Sequence, residues 1–231
     1  LAKNDPKNWF SEVLTVDDTK AISQEILEQE KSECIQLYGN DSLYRQEYFC
    51  DFTVPIVGAY YADQITRAYA EGRVCNVVYD DSLLVDTWWD LGVNDRNAIW
   101  FTQTFGNEIR LIDYNADTGK GLDYYIKLVK EKPYIYKSHN APHDIKVREY
   151  TTGKTRIEFA SSLGIDFNIV PNIPIHDGIN AARSMFRRCW FNKDICKNGI
   201  DALKNYRKQY DETRKTFADH PLHDWSSNGA D

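Results

Sequence analysis

The stretch Leu83 to Gly92, Leu-Leu-Val-Asp-Thr-Trp-Trp-Asp-Leu-Gly, limits the folds open to this chain more than any other. Its β-branched and aromatic residues predict a strand over 83–91, long enough to be buried, that ends on an acid and a glycine. A carboxylate at the end of a buried strand is costly unless something cationic meets it. The chain must therefore build a sheet around this strand and supply a partner for Asp90 at its end.

The residues that follow meet the first demand. The turn Gly92-Val93-Asn94-Asp95 leads to a strand over 98–104, where Ile99 and Phe101 alternate with Trp100 and Thr102. Phe105-Gly106-Asn107 signals a hairpin and a third strand runs over 108–114, so three consecutive strands form an antiparallel meander. Leu122, Tyr125, Ile126 and Val129 recur at helical spacing over 121–130, and Pro133 closes that helix. A short strand over 134–137 runs into Asn140-Ala141-Pro142-His143-Asp144. A turn around Gly153 spans 148–154, Thr155 caps a helix to Leu163, and 166–170 reads as a strand. Asp177 starts a helix through Ile179, Ala182, Met185 and Phe186, and Ile200, Leu203, Tyr206 and Tyr210 stripe a last one. This order predicts an α/β fold of the RNase H-like kind: a mixed sheet with an antiparallel three-strand meander and helices on both faces.

Upstream, residues 8–13 and 48–54 read as strands, 22–37 and 59–70 as helices, and 55–58 as a turn. These first 70 residues hold no nucleotide-binding glycine loop. The net charge is −7 but unevenly spread. Residues 1–80 hold 14 acids and 7 bases, residues 81–231 hold 21 of each, and residues 146–215 carry 14 bases against 8 acids. One face of the second part can therefore meet a polyanion, although the same charges also suit a solvated helical surface.

With 42% hydrophobic residues the chain can bury a sizeable core. No apolar run reaches the roughly 18 residues of a membrane span, and no signal-peptide pattern opens the chain. The cysteines, Cys34, Cys50, Cys75, Cys189 and Cys196, form no CxxC pair, so neither a zinc knuckle nor a disulfide framework is supported. A reducing cytoplasm fits best. The chain begins at Leu1 and ends in what reads as a helix start, which predicts a piece of a longer protein.

Three acids stand out by position: Asp90 at the end of the first meander strand, Asp144 after the fourth strand, and Asp231 in the closing Ser-Ser-Asn-Gly-Ala-Asp. If the fourth strand lies parallel to the first, Asp90 and Asp144 emerge side by side from one sheet edge. Such hard oxygen ligands suit two Mg²⁺ or Mn²⁺ ions, a pair that can activate water and stabilise the leaving oxygen in phosphodiester cleavage. Each acid also has a structural reading: Asp90 closing a turn with Gly92, Asp144 capping a loop, Asp231 capping a helix.

The motifs Trp89-Asp90-Leu91-Gly92-Val93-Asn94-Asp95, Ala141-Pro142-His143-Asp144 and His223-Asp224-Trp225-Ser226-Ser227-Asn228-Gly229-Ala230-Asp231 resemble those of the nuclease domain of tailed-phage terminase large subunits. Phe49-Cys50-Asp51-Phe52 and Gly58-Ala59-Tyr60-Tyr61 resemble the stretch that leaves the ATPase domain in that family. The resemblance implies that residues 1–50 are the tail of the packaging ATPase and 51–231 an RNase H-like nuclease domain. It implies an endonuclease that cleaves concatemeric double-stranded viral DNA in the host cytoplasm, with Asp90, Asp144 and Asp231 as metal-binding acids. DNA, the ATPase domain, the small terminase subunit and the portal protein are the partners implied. Many relatives place a histidine three residues before the last acid, where this chain has Asn228.

Around these acids, Asp95, His143, His223, Asp224 and Asn228 are candidates for supporting contacts to metal or phosphate. Lys146, Arg148, Lys154 and Arg156 can form a two-stranded basic arm over DNA, and Arg183, Arg187 and Arg188 a second phosphate rail on a helix. Trp88, Trp89 and Trp100 read as core rather than as stacking platforms. Two other functions remain open at this point: an RNase H-like junction resolvase, and a catalytically weak DNA- or portal-docking module.

Overall fold

A computed structural model describes residues 12–38, 41–50, 57–92, 96–146, 155–211 and 213–230. The chain divides into two compact units, Leu1–Val57 and Gly58–Asp231.

The first unit contains α1 (Val16–Thr19), α2 (Gln24–Tyr38) and α3 (Ser42–Phe49). Thr15 opens α1 with a capping box: its backbone N–H and hydroxyl both donate to Asp18, at 2.9 and 2.7 Å. α3 corrects the strand expected over 48–54, whose residues 51–54 lie outside the described part. Tyr44 and Tyr48, four residues apart, meet in a tilted pair at 5.2 Å, and Tyr44 meets Phe49 at 5.6 Å. A period of four joins these rings on one helical face, where a strand would set them on the same side without contact along one chain. Cys50 then ends the helix at φ 51°, its N–H donating to Arg45 O. Most of the strand expected over 8–13 also lies outside the described residues.

The second unit begins with α4 (Ala62–Ala70) and continues through β1 (Val74–Cys75), β2 (Val85–Asp90), β3 (Arg96–Phe105), β4 (Glu108–Thr118) and α5 (Leu122–Glu131). Then come β5 (Tyr136–Ala141), α6 (Arg156–Ser162), β6 (Phe167–Ile169), α7 (Ile175–Met185), β7 (Cys189–Asn192) and α8 (Lys197–Asn205). β8 (Lys208–Asp211) and β9 (Thr216–Pro221) form a separate two-stranded sheet. The main sheet runs β1-β7-β4-β3-β2-β5-β6. β2, β3 and β4 form the antiparallel meander, while β5 is parallel to β2, β6 to β5, β7 to β4 and β1 to β7. The run β4-β3-β2-β5-β6 is the RNase H-like order, extended at one edge by β7 and β1.

The meander follows from its turn and its alternation. Gly106 takes φ 56° in the two-residue connection between paired Phe105 and Glu108, a conformation that a side chain would strain. Along β2, Val85, Thr87 and Trp89 face one side while Asp86, Trp88 and Asp90 face the other, as a period of two requires. The first side packs Trp89, Ile99 and Phe101 against Tyr125, Ile126 and Val129 of α5 and Ala160 of α6. The other side packs Leu111 and Phe191 against Ile65 of α4 and Ile200 and Leu203 of α8. Each fully buried Ile or Phe contributes about 1.5–3 kcal/mol of apolar transfer.

Several elements differ from the sequence expectation, and β1 and β9 fall where it predicts none. The helix striped by Ile200 and Leu203 stops at Asn205, and Tyr210 belongs to β8, against Phe217 at 5.2 Å. Tyr206 leaves the helix with ψ 115° yet stays buried, its carbonyl accepting the N–H of Tyr60 at 2.8 Å. The strand β7 was not legible, because Cys-Trp-Phe-Asn is short and lies between arginines and a helix start.

A candidate active site at the ends of the central strands

Because β2 and β5 are parallel, their carboxyl ends reach the same edge of the sheet, where open α/β sheets present ligand crevices. Trp88 is in register with Asn140, so Asp90 lies level with Pro142 and next to the 3-10 turn His143–Lys146 that holds Asp144. That turn is set by chemistry already in the sequence. Pro142 cannot donate to a ladder and stops β5. Ile145, fully buried in the first core, then pulls the turn down, and its N–H donates to Pro142 O at 3.2 Å.

A cleft of about 750 Å³ opens on this edge, and its walls include Trp88, Asp90, Asn140, Pro142 and His143. α7 supplies Ile175 and Ile179, and the C-terminal stretch supplies His223, Ser227 and Asn228. Four sequence-predicted residues, Asp90, His143, His223 and Asn228, thus converge on one cavity. Asp144 is described in its backbone only, and Asp95 and Asp231 lie outside the described residues. Among the described residues no three His, Cys, Asp or Glu side chains group closely enough to hold a metal.

The C-terminal stretch is seated by close packing. Trp100 Nε1 donates to Gly229 O at 2.8 Å, and a Cβ at Gly229 would come 2.8 Å from Ala202 Cβ and 2.6 Å from the Tyr114 hydroxyl. A Cβ at Gly199 would meet Trp100 Cζ2 at 2.5 Å, so glycine there lets α8 approach the same indole. Asn228 is consequently buried against the sheet, and the neighbouring His223 stays exposed with Nδ1 3.3 Å from Ser227 Oγ.

Other candidates do different work. Asp224 accepts from Ser226 N and Oγ at 2.8 and 2.5 Å and pairs with Arg207 at 3.3 Å, which shapes the stretch from outside the cleft walls. Arg156 is the first residue of α6, behind the Thr155–Glu158 capping box, and its Nη1 donates to Leu91 O at 3.3 Å. It therefore ties down the loop after Asp90 instead of extending along a two-stranded arm. Lys146 is exposed, and Arg148 and Lys154 lie outside the described residues. The three arginines proposed as a phosphate rail lie on α7 and on the 3-10 turn Phe186–Arg188 that follows it. Arg183 Nε donates to Tyr60 O at 2.9 Å, Arg188 Nε donates to Asn107 O at 2.8 Å, and α7 ends at Met185 before Arg187. Trp89 is core, as expected, and Trp100 is structural, but Trp88 is 44% exposed.

Sequence reasoning missed two polar networks flanking Asp90. On its own face, Asp86 Oδ1 accepts from Ser138 Oγ at 2.6 Å, and Asn140 Nδ2 donates to Ser138 Oγ and Thr87 O at 3.0 and 3.1 Å. On the opposite face, Trp89 Nε1 donates to Thr87 Oγ1 at 2.7 Å, and the same hydroxyl lies 2.7 Å from His139 Nδ1. Burial pushes the His139 pKa below the ordinary value, against an opposing pull from Asp86. The strict alternation of β2 was the signal that could have sorted these faces.

This network has a pH consequence. The folded pKa of His139 lies below its unfolded value, so its contribution is complete above about 6.5 and is lost as pH falls through the folded value. The native protein is expected to lose more melting temperature on acidification than His139→Gln, whose amide does not titrate. Parallel acid slopes for the two proteins in thermal melts would remove His139 as the cause.

No family model matches this sequence, and no curated protein matches it significantly. Solved structures do. The large terminase of a thermophilic bacteriophage aligns with TM-score 0.52 at 16% identity, over 96% of this chain and 54% of that one. The same protein in complex with ADP aligns with TM-score 0.52 at 16% identity, over 99% and 56%. The large terminase nuclease of the thermophilic phage G20c with bound cobalt aligns with TM-score 0.50 at 12% identity, over 76% of this chain and 96% of that one. This chain spans about half the length of the first of these proteins. Its RNase H-like fold is therefore similar to that of these bacteriophage large terminases and of a terminase nuclease.

Proposed function

We propose that this chain is a divalent-metal-dependent endonuclease that cuts concatemeric double-stranded viral DNA during genome packaging. The observation that carries this reading is the register of β2 and β5, which sets Asp90 level with Pro142 and next to the turn His143–Lys146, with Asp90, Pro142 and His143 lining one cleft. The fold shared with a terminase nuclease crystallised with cobalt supports it.

In this reading Asp90, Asp144 and Asp231 hold two Mg²⁺ or Mn²⁺ ions. Their carboxylates are the hard oxygen donors such ions require, and Asp90 is half-buried at the cleft wall. When bound, the ions supply a more acidic water and charge for the leaving oxygen. The chain's own residues do the rest. His143, exposed beside Asp144, donates to a phosphate oxygen, and exposed Lys146 neutralises backbone charge without reading sequence. Arg148 and Lys154 extend that basic stretch. Residues 1–50 are the tail of the packaging ATPase, and the small terminase subunit and portal are the partners of the complete motor in the host cytoplasm. No described helix is long and apolar enough to cross a membrane.

Nicking of supercoiled plasmid with Mn²⁺ or Mg²⁺ tests the reading. Activity is expected with either ion and none in excess chelator. Undiminished cutting in chelator, or none with any divalent ion, would overturn it.

A further inference from the structure

We propose that the cleft beside Asp90 takes an unpaired nucleobase of the strand to be cut, stacked on Trp88. This rests on the nuclease reading for its chemistry and extends it to how the substrate is presented.

Trp88 stands in the middle of a seven-stranded sheet, where an aromatic ring is normally covered, yet it is 44% exposed. Its indole N–H is already spent, donating to Thr102 Oγ1 at 2.9 Å, and that hydroxyl in turn reaches Asp86 O at 3.4 Å. The ring is thereby held in one orientation with only its π face and hydrocarbon edge left to offer. Among the described residues no other ring stacks on it. Trp88 and Asp90 lie on the same face of β2 two residues apart, about 7 Å along the strand. An occupant of the ring is thus one short step from the acid.

Besides Asp90, three histidines and a few amides, the cleft wall is mostly aromatic and aliphatic, which suits a flat heteroaromatic ring. Asn140, directly across the ladder from Trp88, has both amide hydrogens committed to Ser138 Oγ and Thr87 O. Its Oδ1 receives only a 3.5 Å contact from Asn168, so an acceptor is what it presents. Every nucleobase carries an N–H for such an acceptor, and every base has a face to stack, so the site is tolerant of sequence. In an intact duplex the base faces are hidden in the stack. A base can reach Trp88 only after leaving it. The strand is therefore presented with one nucleotide displaced next to the scissile phosphate.

The test reads binding without cleavage. Fluorescence anisotropy of a labelled short oligothymidylate, in Ca²⁺, is compared with an abasic oligonucleotide of the same length. The native chain is expected to prefer the intact strand. Trp88→Ala should weaken that binding about ten-fold and leave abasic binding unchanged, while Trp88→Phe keeps most of the affinity. Equal affinities of native protein for the two strands, no detectable binding of either, or an unaltered Kd in Trp88→Ala would overturn the proposal. Plasmid nicking by the same proteins separates the two readings. Nicking without base-dependent binding removes only the stacking site, whereas base-dependent binding without nicking removes the nuclease.

Discussion

Asp90→Ala is expected to lower plasmid nicking about 10³-fold or more, a loss of about 4 kcal/mol of transition-state stabilisation. The effect follows from position. Asp90 is the last residue of β2, paired with Ala98 on one side and flanked on the other by the parallel β5 that leads into the Asp144 turn. The adjoining apolar positions Trp89 and Leu91 anchor the strand end in the core, so the fold does not depend on the half-buried Asp90 carboxylate for that anchoring. Removing it leaves the β2–β3 ladder intact, so the melting temperature should stay within about 4 °C of native. Nicking rates and thermal melts on the same preparations separate the two effects. A variant that cuts at the native rate would remove Asp90 from the site, and one that melts much earlier would make it structural.

Lys132→Ala should have the largest effect on stability, about 3 kcal/mol, or roughly 10 °C in melting temperature. Asp113 is buried in β4, with its side chain 5% exposed. Oδ2 receives Lys132 Nζ at 2.6 Å and the Tyr134 hydroxyl at 2.9 Å, and Oδ1 receives the Tyr114 N–H at 2.8 Å. Lys132 also lies 5.6 Å from the centre of the Phe101 ring. Burial first, and the neighbouring carboxylate second, push the Tyr134 pKa upward, so that phenol remains a donor but cannot replace a charge. Truncating Lys132 strands a buried carboxylate, and the figure sits at the low end of such losses because Lys132 keeps some solvent contact. Urea unfolding checks it; a change below about 1 kcal/mol would show that water or Tyr134 compensates.

Both sites lie on elements that local sequence could declare. The alternation of 85–90, the glycine turn at Gly106 and the striped helix of Tyr125, Ile126 and Val129 each depend on neighbours within a few residues. The capping box at Thr155 is equally local. Where a short segment has no such internal signal, propensity misleads. Tyr48 and Phe49 look like strand residues, yet Tyr44 recruits them into a helix. Tyr210 continues a helical spacing on paper, yet Tyr206 turns out of the helix to meet Tyr60.

The sequence by itself determined the strand that ends on Asp90, the meander, the striped helix packed against it and the types of residue offered as ligands. Only the tertiary structure decided which of them share a cleft. The parallel register of β2 with β5 brought residues about fifty positions apart to one edge, and Gly199 and Gly229 let the C-terminal stretch close over Trp100. It also gave Arg156, Arg183 and Arg188 each a bond to a backbone carbonyl and left Trp88 partly exposed. The physical reason is that a residue's type and spacing record what it can bind, while its partner is set by contacts between segments far apart in the chain.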